Sequence, residues 1–387
     1  MNLPIYLDYN ATTPVDARVL EAMLPYFTER YGNASSKGHA YGWAAEEAVE
    51  QAREQVAALM GAEVREVVFT SGATESINLA LKGVAEAYAR KGRHLVTVQT
   101  EHKATLDACR TLERQGSRVT YLPVDENGLV RPDDVEAALT DETILVSVMW
   151  ANNETGVIQP VEEIAERVRA RGILFMTDAT QAAGKIPIST EHADLLALSA
   201  HKFYGPKGVG ALYLGRRRPR VRLLPLVDGG GQENGLRGGT LNVPGIVGMG
   251  AAAALARDGL DVEADRLKAL RDRFEADVQV VLPDVRANGK DASRLPQTSN
   301  LSFPDVRANN LVAALRDLAL STGSACSSGS GKPSHVLKAM GLSDAMAQST
   351  LRFSLGRFTT DEEIAYATQH LIAAVRSLRE EGASVIS

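Results

Sequence analysis

A lysine follows one of the apolar runs of this sequence and opens a loop rich in glycine and proline. Residues 195–199 are typical of a buried strand, and Lys202 comes three residues later, directly after His201. A lysine amine becomes a nucleophile for carbonyl groups when burial or cationic neighbours lower its pKa. Taken alone, a loop lysine beside a histidine is usually a surface residue. Lys202 is therefore a candidate whose role depends on its partners.

A carboxylate lies at the end of the preceding predicted strand. Asp178 closes the apolar run 173–177, and Lys202 follows it by 24 residues at the end of the next strand. Open α/β sheets bind their ligands at the carboxyl ends of the strands. An aspartate beside a pyridine nitrogen keeps that nitrogen protonated, so the ring can withdraw electrons from a substrate. The two residues would suit pyridoxal 5′-phosphate (PLP) linked to Lys202 as a Schiff base, and an ordered set that also included a phosphate loop would be a much stronger indication.

A phosphate group needs a cradle of donors, and residues 70–76 offer one. Gly72 permits a tight turn between a predicted strand and a predicted helix, and the helix start presents unpaired N–H groups and a positive dipole end. The turn is not a Walker P-loop, since no Gly-Lys-Ser/Thr sequence follows it. Ser199 and His201, on either side of Ala200, could also hold the phosphate.

A second nucleophile is Cys326, which lies among small residues and the three glycines Gly323, Gly329 and Gly331. Such a segment is typical of an exposed, mobile loop. A free cysteine is most often a small buried hydrophobic residue, but this one has almost no apolar neighbours. The residues alone leave the reactive and the structural interpretation open. Cys109, inside a predicted helix, is expected to be structural.

Short β-rich runs alternate with helical patterns over most of the chain, which predicts a mostly parallel sheet covered by helices. The predicted strands are 67–70, 95–98, 119–124, 144–149, 173–177 and 195–199, and the predicted helices are 42–60, 73–90, 102–114, 132–139 and 262–278. The pattern changes near residue 260. We expect a large domain over 15–261 and a smaller α+β domain from 1–14 and 262–387, the latter carrying Cys326 and Arg352. Thr360 and Glu363 form a predicted capping box for the last helix.

Composition excludes several classes of protein. The formal net charge of −6 argues against nucleic acid as the main partner. Two distant cysteines favour neither a disulfide framework nor an intrinsic metal site, and they fit a reducing compartment. The N-terminus has no basic stretch before an apolar core, and the longest weakly apolar stretch, 245–256, is too short to span a bilayer. We expect a soluble, cytoplasmic protein without a membrane partner.

Motifs spread through nearly the whole chain resemble those of the cysteine desulfurases, a branch of the class V aminotransferase group of PLP enzymes. The resemblance lies in ordered blocks, of which a single one would be weak: 6–13, 32–36, 69–81, 100–103, 152–160, 178–187, 199–210, 229–240 and 324–329. It implies the fold type I, aspartate aminotransferase-like architecture. It also implies a homodimer, because Thr240 would reach the cofactor phosphate of the neighbouring subunit.

The resemblance assigns further roles residue by residue. His102 would stack on the pyridine ring and take part in proton transfer, and Arg352 would bind the substrate carboxylate with its two-pronged guanidinium. Without the resemblance, His102 would more often be structural and Arg352 could form an ordinary salt bridge. The cofactor-binding set that it implies is Ala73, Thr74, His102, Asn153, Asp178, Gln181, Ser199, His201, Lys202 and Thr240, with Asn153 also near the substrate.

The implied reaction removes sulfur from L-cysteine, which leaves L-alanine and a persulfide on Cys326. The thiolate form is required, since a thiol is a poor nucleophile. The sequence around Cys326 resembles the long-loop subgroup, which passes sulfur to acceptors such as an iron–sulfur scaffold or tRNA-thiolation enzymes. Cys326 could also be a transient iron–sulfur ligand. The alternatives are a selenocysteine lyase or another class V enzyme, and an inactive scaffold for sulfur-transfer proteins.

Overall fold

A computed structural model describes residues 3–216, 220–322 and 332–384. Within these ranges the strands are β1 (Ile5–Tyr6), β2 (Val67–Thr70), β3 (His94–Val98), β4 (Arg118–Leu122), β5 (Thr143–Ser147), β6 (Leu174–Asp178), β7 (Leu195–Ser199), β8 (Gly210–Leu214), β9 (Arg286–Ala287), β10 (Thr298–Ser302), β11 (Leu318–Ala319) and β12 (Thr350–Ser354).

The helices surround these strands. Over the same described ranges they are α1 (Ala17–Met23), α2 (Pro25–Thr28), α3 (Ala40–Met60), α4 (Ala73–Ala87), α5 (Lys103–Arg114), α6 (Pro132–Ala138), α7 (Val161–Ala170), α8 (Val243–Asp258), α9 (Leu260–Val281), α10 (Ala308–Ala314), α11 (His335–Ala339), α12 (Asp344–Ala347) and α13 (Asp361–Ser384). None of these helices combines the length and the apolar character that crossing a membrane requires.

Most of the described strands form one sheet in the order β2-β8-β7-β6-β5-β3-β4. Its pairs are parallel except those that involve β8, which runs antiparallel to both β2 and β7. The central strands β3, β5 and β7 are buried throughout, as expected when helices cover both faces. The predicted α/β class with a mostly parallel sheet is confirmed.

The sequence did not predict strand β8. The pattern of residues 199–208 indicates a strand end followed by a glycine- and proline-rich loop, but this loop returns the chain to the sheet at Gly210. Ser199 pairs with Gly210 on one side and Thr70 pairs with Gly210 on the other. A Cβ atom on Gly210 would lie 2.5 Å from the Cα atom of Gly72. Glycine at 210 is therefore what lets the ends of β2 and β7 approach each other.

A second hydrophobic core lies between helices α9, α10 and α13 and the antiparallel sheet β12-β10-β9. Leu7 belongs to this core, and strand β1 pairs with β11. Residues 5–7 thus pack with the second core, while the assignment of residues 1–14 and 262–387 to a smaller domain, with boundaries at 14/15 and 261/262, stays a prediction.

The predicted helix ends agree with the local chemistry. Gly61 adopts φ 68° after helix α3, the left-handed conformation that glycine tolerates without strain. Before helix α13, the backbone N–H of Thr360 donates to Glu363 and the N–H of Glu363 donates to the Thr360 hydroxyl, which confirms the capping box. Helix α5 begins at Lys103 rather than at 102, because His102 is its N-cap residue.

A buried ion pair joins helix α3 to the loop that precedes Arg237. The guanidinium of Arg53 donates to both carboxylate oxygens of Glu233 at 2.8 and 2.9 Å. The same carboxylate accepts the backbone N–H of Phe69 at 2.7 Å, and the guanidinium lies over the ring of Phe69. This pair therefore anchors strand β2, which leads into Gly72.

We expect Glu233→Gln to lower the free energy of unfolding by roughly 3 kcal/mol, because it leaves the buried Arg53 guanidinium with only the more exposed carboxylate of Glu50, at 3.1 Å, as a counter-charge. Urea unfolding measures the change. The double variant Arg53→Met/Glu233→Gln removes both charges and should recover part of the loss. If the double variant loses as much free energy of unfolding as the two single variants added together, the two side chains do not stabilise the fold as an ion pair.

Candidate active site

The predicted site residues meet at one edge of the large sheet, where β2, β7, β6, β5 and β3 end. They line a cavity of ≈ 540 Å³, and the members of the predicted set in its wall are Ala73, Thr74, His102, Asn153, Asp178, Gln181, Ser199, His201 and Lys202. A smaller cavity of ≈ 120 Å³ shares His102, Asn153, Gln181 and Lys202 with the first and adds Arg352. The sequence thus located the cavity, while the individual roles of its residues stay predictions.

Lys202 ends a short 3-10 turn, Ala200–Lys202, which follows strand β7. Its ammonium Nζ donates to the backbone carbonyls of Asn10 at 2.6 Å and Ala11 at 2.8 Å. The N-terminal segment also supports the turn, because the N–H and hydroxyl of Thr13 both donate to the carbonyl of His201 at 3.0 Å. The amine therefore lies in the cavity wall. Residues 10–13, which are not part of the sheet, hold both the amine and the backbone turn that carries it.

The helix start after β2 has the properties of a phosphate cradle. Gly72 adopts φ 152°, a conformation that side-chain-bearing residues rarely adopt, and it is the N-cap residue of helix α4. The first N–H groups of an α-helix have no carbonyl partner within the helix. Those of Ala73 and Thr74 belong to residues that line the cavity, and the Ser199 hydroxyl lies opposite Gly72. The donors and the shape at this edge fit a phosphate group.

Asp178 ends strand β6 and is buried. Its Oδ1 accepts the backbone N–H of Thr180 at 2.9 Å, and its backbone carbonyl accepts the N–H of Trp150 at 2.9 Å. One carboxylate oxygen is thus fixed by the backbone in the cavity wall. Nearby, the side-chain amide of Gln181 donates to the carbonyl of Asn10 at 3.0 Å. This arrangement suits a carboxylate that must keep one orientation toward a ring nitrogen.

Two histidines in the cavity wall are shifted toward the neutral form. Burial lowers the pKa of His102, and the carboxylate of Asp178 opposes this shift. The Nδ1 atom of His102 accepts the backbone N–H of Ala104 at 3.1 Å, so the neutral ring carries its proton on Nε2. Burial and the charge of Lys202 lower the pKa of His201 to about 4. At pH 7 His201 therefore offers a neutral donor and acceptor.

Arg352, on strand β12, is almost completely buried. Its guanidinium donates to the carboxylate of Asp8 at 2.6 Å and to the backbone carbonyl of Asn153 at 2.8 Å. The salt bridge that the sequence left open is therefore present, and Arg352 also lines the smaller cavity. A carboxylate binding there would share the guanidinium with Asp8. Its substrate role stays a prediction.

Thr240 is exposed and is not among the described residues that line either cavity. Its predicted contact with the cofactor phosphate of a neighbouring subunit stays a prediction. Cys326 lies in 323–331, outside the described residues. Within the described ranges no group of three or more His, Cys, Asp or Glu could hold a metal ion.

Sequence reasoning missed Glu101, whose side chain is completely buried behind the cavity. Its Oε1 accepts the backbone N–H of Met149 at 2.5 Å, and its backbone carbonyl accepts Nε2–H of His335 at 3.0 Å. Burial and the nearby charge of Asp178 raise its pKa to about 8. Its place between a predicted strand and His102 was visible in the sequence, but nothing there signalled its burial.

The raised pKa of Glu101 predicts a pH-dependent stability. The folded protein keeps a proton on this carboxyl up to about pH 8, whereas the unfolded chain loses it near pH 4.5, so the free energy of unfolding falls between these values as the pH rises. Glu101→Gln keeps an acceptor for Met149 and removes the titration.

As the pH rises through that range, we expect the free energy of unfolding of Glu101→Gln to increase relative to that of the wild type by roughly 1–3 kcal/mol. This is the free-energy equivalent of the pKa shift, reduced for the effective dielectric of a protein interior. Urea unfolding at a series of pH values measures it. The exposed helix residue Glu54 supplies the control Glu54→Gln, which should show a constant difference. A constant difference for Glu101→Gln as well would refute the assignment.

Comparison with known proteins agrees with this geometry. The family model described as aminotransferase class-V matches residues 5–366. A protein named cysteine desulfurase IscS from Anaeromyxobacter sp. (strain Fw109-5) is 58% identical over 382 residues, which covers 98% of this chain and 94% of that protein.

Solved structures give the same result. A NifS-like protein superposes with a TM-score of 0.89 at 40% identity and covers 97% of this chain and 100% of its own. A structure described as SspA in complex with cysteine has a TM-score of 0.81 at 39% identity and covers 92% of this chain and 100% of its own. The matches cover nearly the whole chain, which belongs to the class V aminotransferase family and, within it, to the cysteine desulfurases.

Proposed function

We propose that this enzyme removes sulfur from L-cysteine with PLP as its cofactor, releases L-alanine and holds the sulfur as a persulfide on Cys326. The observation that carries the proposal is the convergence of Lys202, Asp178, His102 and the start of helix α4 around one cavity. Each of these groups alone has ordinary structural explanations. Their meeting at the carboxyl edge of the sheet matches what the cofactor and an amino acid substrate require.

The residues present fit PLP. Ala73 and Thr74 at the start of helix α4, with Ser199 and His201, would bind its phosphate, and Lys202 would carry it covalently. Asp178 would hold the proton of the ring nitrogen, and Gln181 would donate to the ring oxygen. When bound, PLP supplies an electron sink that weakens bonds at the α-carbon of an amino acid.

The smaller cavity is the proposed binding site for the substrate carboxylate. Arg352 presents a guanidinium whose fork matches both carboxylate oxygens, and Asn153 lies beside it. Arg352 is already held by Asp8 and by the carbonyl of Asn153. Because these two contacts fix the side chain, little conformational entropy remains to be lost when a carboxylate binds.

Proton movement in the cavity falls to Lys202 and His102. Both line the small cavity with Arg352, and burial keeps His102 neutral near pH 7. A neutral imidazole with its Nδ1 engaged at Ala104 can release the proton on Nε2 or take it back. A lysine amine in the same wall can accept a proton once it is neutral. We propose that these two side chains move the protons at the substrate.

Cys326 completes the reaction. Its thiolate would form an S–S bond with the substrate sulfur while the substrate C–S bond breaks, and the carbon chain receives the proton that makes it alanine. The products of one L-cysteine and one thiol are then one L-alanine and one persulfide, so atoms balance. Sulfur-acceptor proteins, such as an iron–sulfur scaffold, would receive the persulfide sulfur.

We also propose a homodimer and a cytoplasmic location. Several large apolar side chains are exposed between residues 20 and 43: Leu20, Leu24, Phe27, Tyr31, Tyr41 and Trp43. A second copy of the chain would cover these side chains. Such a dimer would also let Thr240 reach the cofactor phosphate of the neighbouring subunit. A reducing compartment would keep the thiol of Cys326 available, which supports the cytoplasm.

The decisive experiment is incubation of the enzyme with L-cysteine, with alanine and sulfide measured over time. We expect Cys326→Ala to abolish both products nearly completely while PLP stays bound, and mass spectrometry of the wild type to find one added sulfur atom on Cys326. Lys202→Ala should lose the lysine-linked absorbance band.

Cys109→Ala is the matched control for that experiment. Burial raises the pKa of the Cys109 thiol to about 12, so this cysteine is not a nucleophile at neutral pH and its variant should keep its activity. Full turnover by Cys326→Ala would disprove the persulfide mechanism. A rate on selenocysteine far above that on cysteine would favour a selenocysteine lyase instead.

The cofactor assignment predicts that Asp178→Asn weakens PLP binding by about tenfold, which corresponds to about 1.4 kcal/mol for one charge-assisted hydrogen bond. Titration of the apoprotein with PLP measures the dissociation constant. Asp194, whose carboxylate accepts the N–H of Phe175 away from the cavity, supplies the control Asp194→Asn. An unchanged PLP affinity in Asp178→Asn would refute the role of Asp178.

A further inference from the structure

Tyr204 has a backbone conformation that its side chain makes unfavourable. It adopts φ 68°, although it is a bulky residue, and it is completely buried. A left-handed conformation in a residue other than glycine, asparagine or aspartate costs free energy and persists only where the surroundings impose it. Tyr204 lies two residues after Lys202, so the imposed conformation sits directly beside the reactive amine.

Two cations hold the ring of Tyr204. The Nζ atom of Lys185 lies 4.3 Å from the ring centroid, and the guanidinium carbon of Arg357 lies 4.1 Å from it. The phenolic oxygen also accepts the Lys185 ammonium at 3.2 Å and the backbone N–H of Arg357 at 2.5 Å. Lys185 is buried and Arg357 is mostly buried, and cation–π contacts strengthen as the cation loses water.

The two cations are neutralised locally. Glu263 accepts from Arg357 at 2.7 Å and from Lys185 at 3.3 Å, and Asp16 accepts from Arg357 at 2.8 Å. Burial lowers the pKa of Lys185 to about 8, and the charge of Glu263 opposes that shift. The cluster therefore joins the loop after β6, the strand β12 end, helix α9 and the N-terminal segment around one tyrosine.

The backbone of Tyr204 is held as firmly as its ring. Its N–H donates to the hydroxyl of Thr13 at 2.9 Å, and its carbonyl accepts the N–H of Asp16 at 3.0 Å. Thr13 also bonds the carbonyl of His201. Lys202 therefore lies between two residues that are fixed to the same short segment, and its side-chain direction depends on both.

We propose that Lys185 and Arg357 are positioning residues for Lys202: by clamping the Tyr204 ring they impose the left-handed backbone that directs the Lys202 amine into the cavity. This inference rests on the proposed function, in which Lys202 carries PLP. A contact that only joined the two cores would need no left-handed residue, since an aromatic ring can pack from any allowed backbone conformation. The contacts of Lys185 and Arg357 with the ring therefore account for the left-handed backbone of Tyr204, which burial alone does not require.

The test uses Arg357→Met, which removes one face of the clamp. Asp16 keeps its partner Arg18 at 2.7 Å and Glu263 keeps Lys185, so the substitution leaves neither carboxylate without a counter-charge. Arg266→Met is the matched control. Arg266 donates to the carbonyls of Gly356, Arg357 and Thr359 and thus holds the same loop without touching the Tyr204 ring.

Two measurements separate positioning from plain stability. The first is the rate at which the apoprotein forms the lysine-linked chromophore after PLP is added. The second is the split between kcat and KM for L-cysteine. We expect Arg357→Met to slow chromophore formation and to lower kcat, each by about tenfold, with little change in KM, and Arg357→Lys to recover part of both. Tyr204→Phe keeps the ring between the cations and should stay within about threefold of the wild type.

Arg266→Met should lower the thermal midpoint but keep the wild-type rate of chromophore formation. Equal rates of chromophore formation in Arg357→Met and Arg266→Met would overturn the proposal. So would a Tyr204→Phe variant that forms the chromophore as slowly as Arg357→Met does. Should Arg357→Met fail to fold, Lys185→Met removes the other cation while Glu263 keeps Arg357, and a wild-type rate of chromophore formation in that variant would overturn the proposal equally. If the wild-type apoprotein forms no lysine-linked chromophore, the proposed function fails instead, and that result is distinct from each of these.

Discussion

The site depends on the close approach of two glycines, Gly72 and Gly210. A Cβ atom on Gly210 would lie 2.5 Å from the Cα of Gly72 and 2.6 Å from the carbonyl oxygen of Leu198. Only hydrogen fits there, and so the antiparallel strand β8 can enter between β2 and β7. Its insertion brings the helix start that would bind phosphate next to the turn that carries Lys202. Without that approach, the helix start after β2 and the Lys202 turn after β7 would lie apart and would not line one cavity.

Burial then sets the charges around the cavity. Asp178 is the buried carboxylate in the wall, and its charge helps to hold the neighbouring carboxyl of Glu101 in the protonated form. The histidines are shifted toward neutrality by the same burial. Like charges cannot share a dry region, so one carboxylate remains available for a cationic ring nitrogen. The proposed chemistry uses this separation of protonation states, which comes from where the side chains are buried.

The sequence predicted the large sheet because strands and helices alternate locally, and it predicted the sites of Asp178, Lys202 and the 70–76 turn from their places at strand ends. Other predicted cavity residues, such as His102 and Asn153, came from the resemblance to the cysteine desulfurases. Asp178 and Lys202 end consecutive apolar runs, and the carboxyl ends of parallel strands lie at one edge. Strand β8 was not predicted, since Gly210 and Ala211 follow a loop and show no alternation. The burial of Glu101 and the left-handed backbone of Tyr204 were also beyond prediction. Both come from contacts with segments distant in the sequence, such as Met149 and Arg357.

The segment 7–13 shows why such contacts decide the site. Leu7 packs in the second core, Asp8 binds Arg352, and the carbonyls of Asn10 and Ala11 accept from Lys202. One short stretch thus contacts both the residue proposed to bind the substrate carboxylate and the residue proposed to carry the cofactor. The backbone turns at residues 9–11, where the N–H of Ala11 donates to the carbonyl of Asp8 at 3.0 Å, and Leu7 and Thr13 fix the two ends of the stretch. The distance between the two functional groups is therefore set by the shape of this turn as much as by either core.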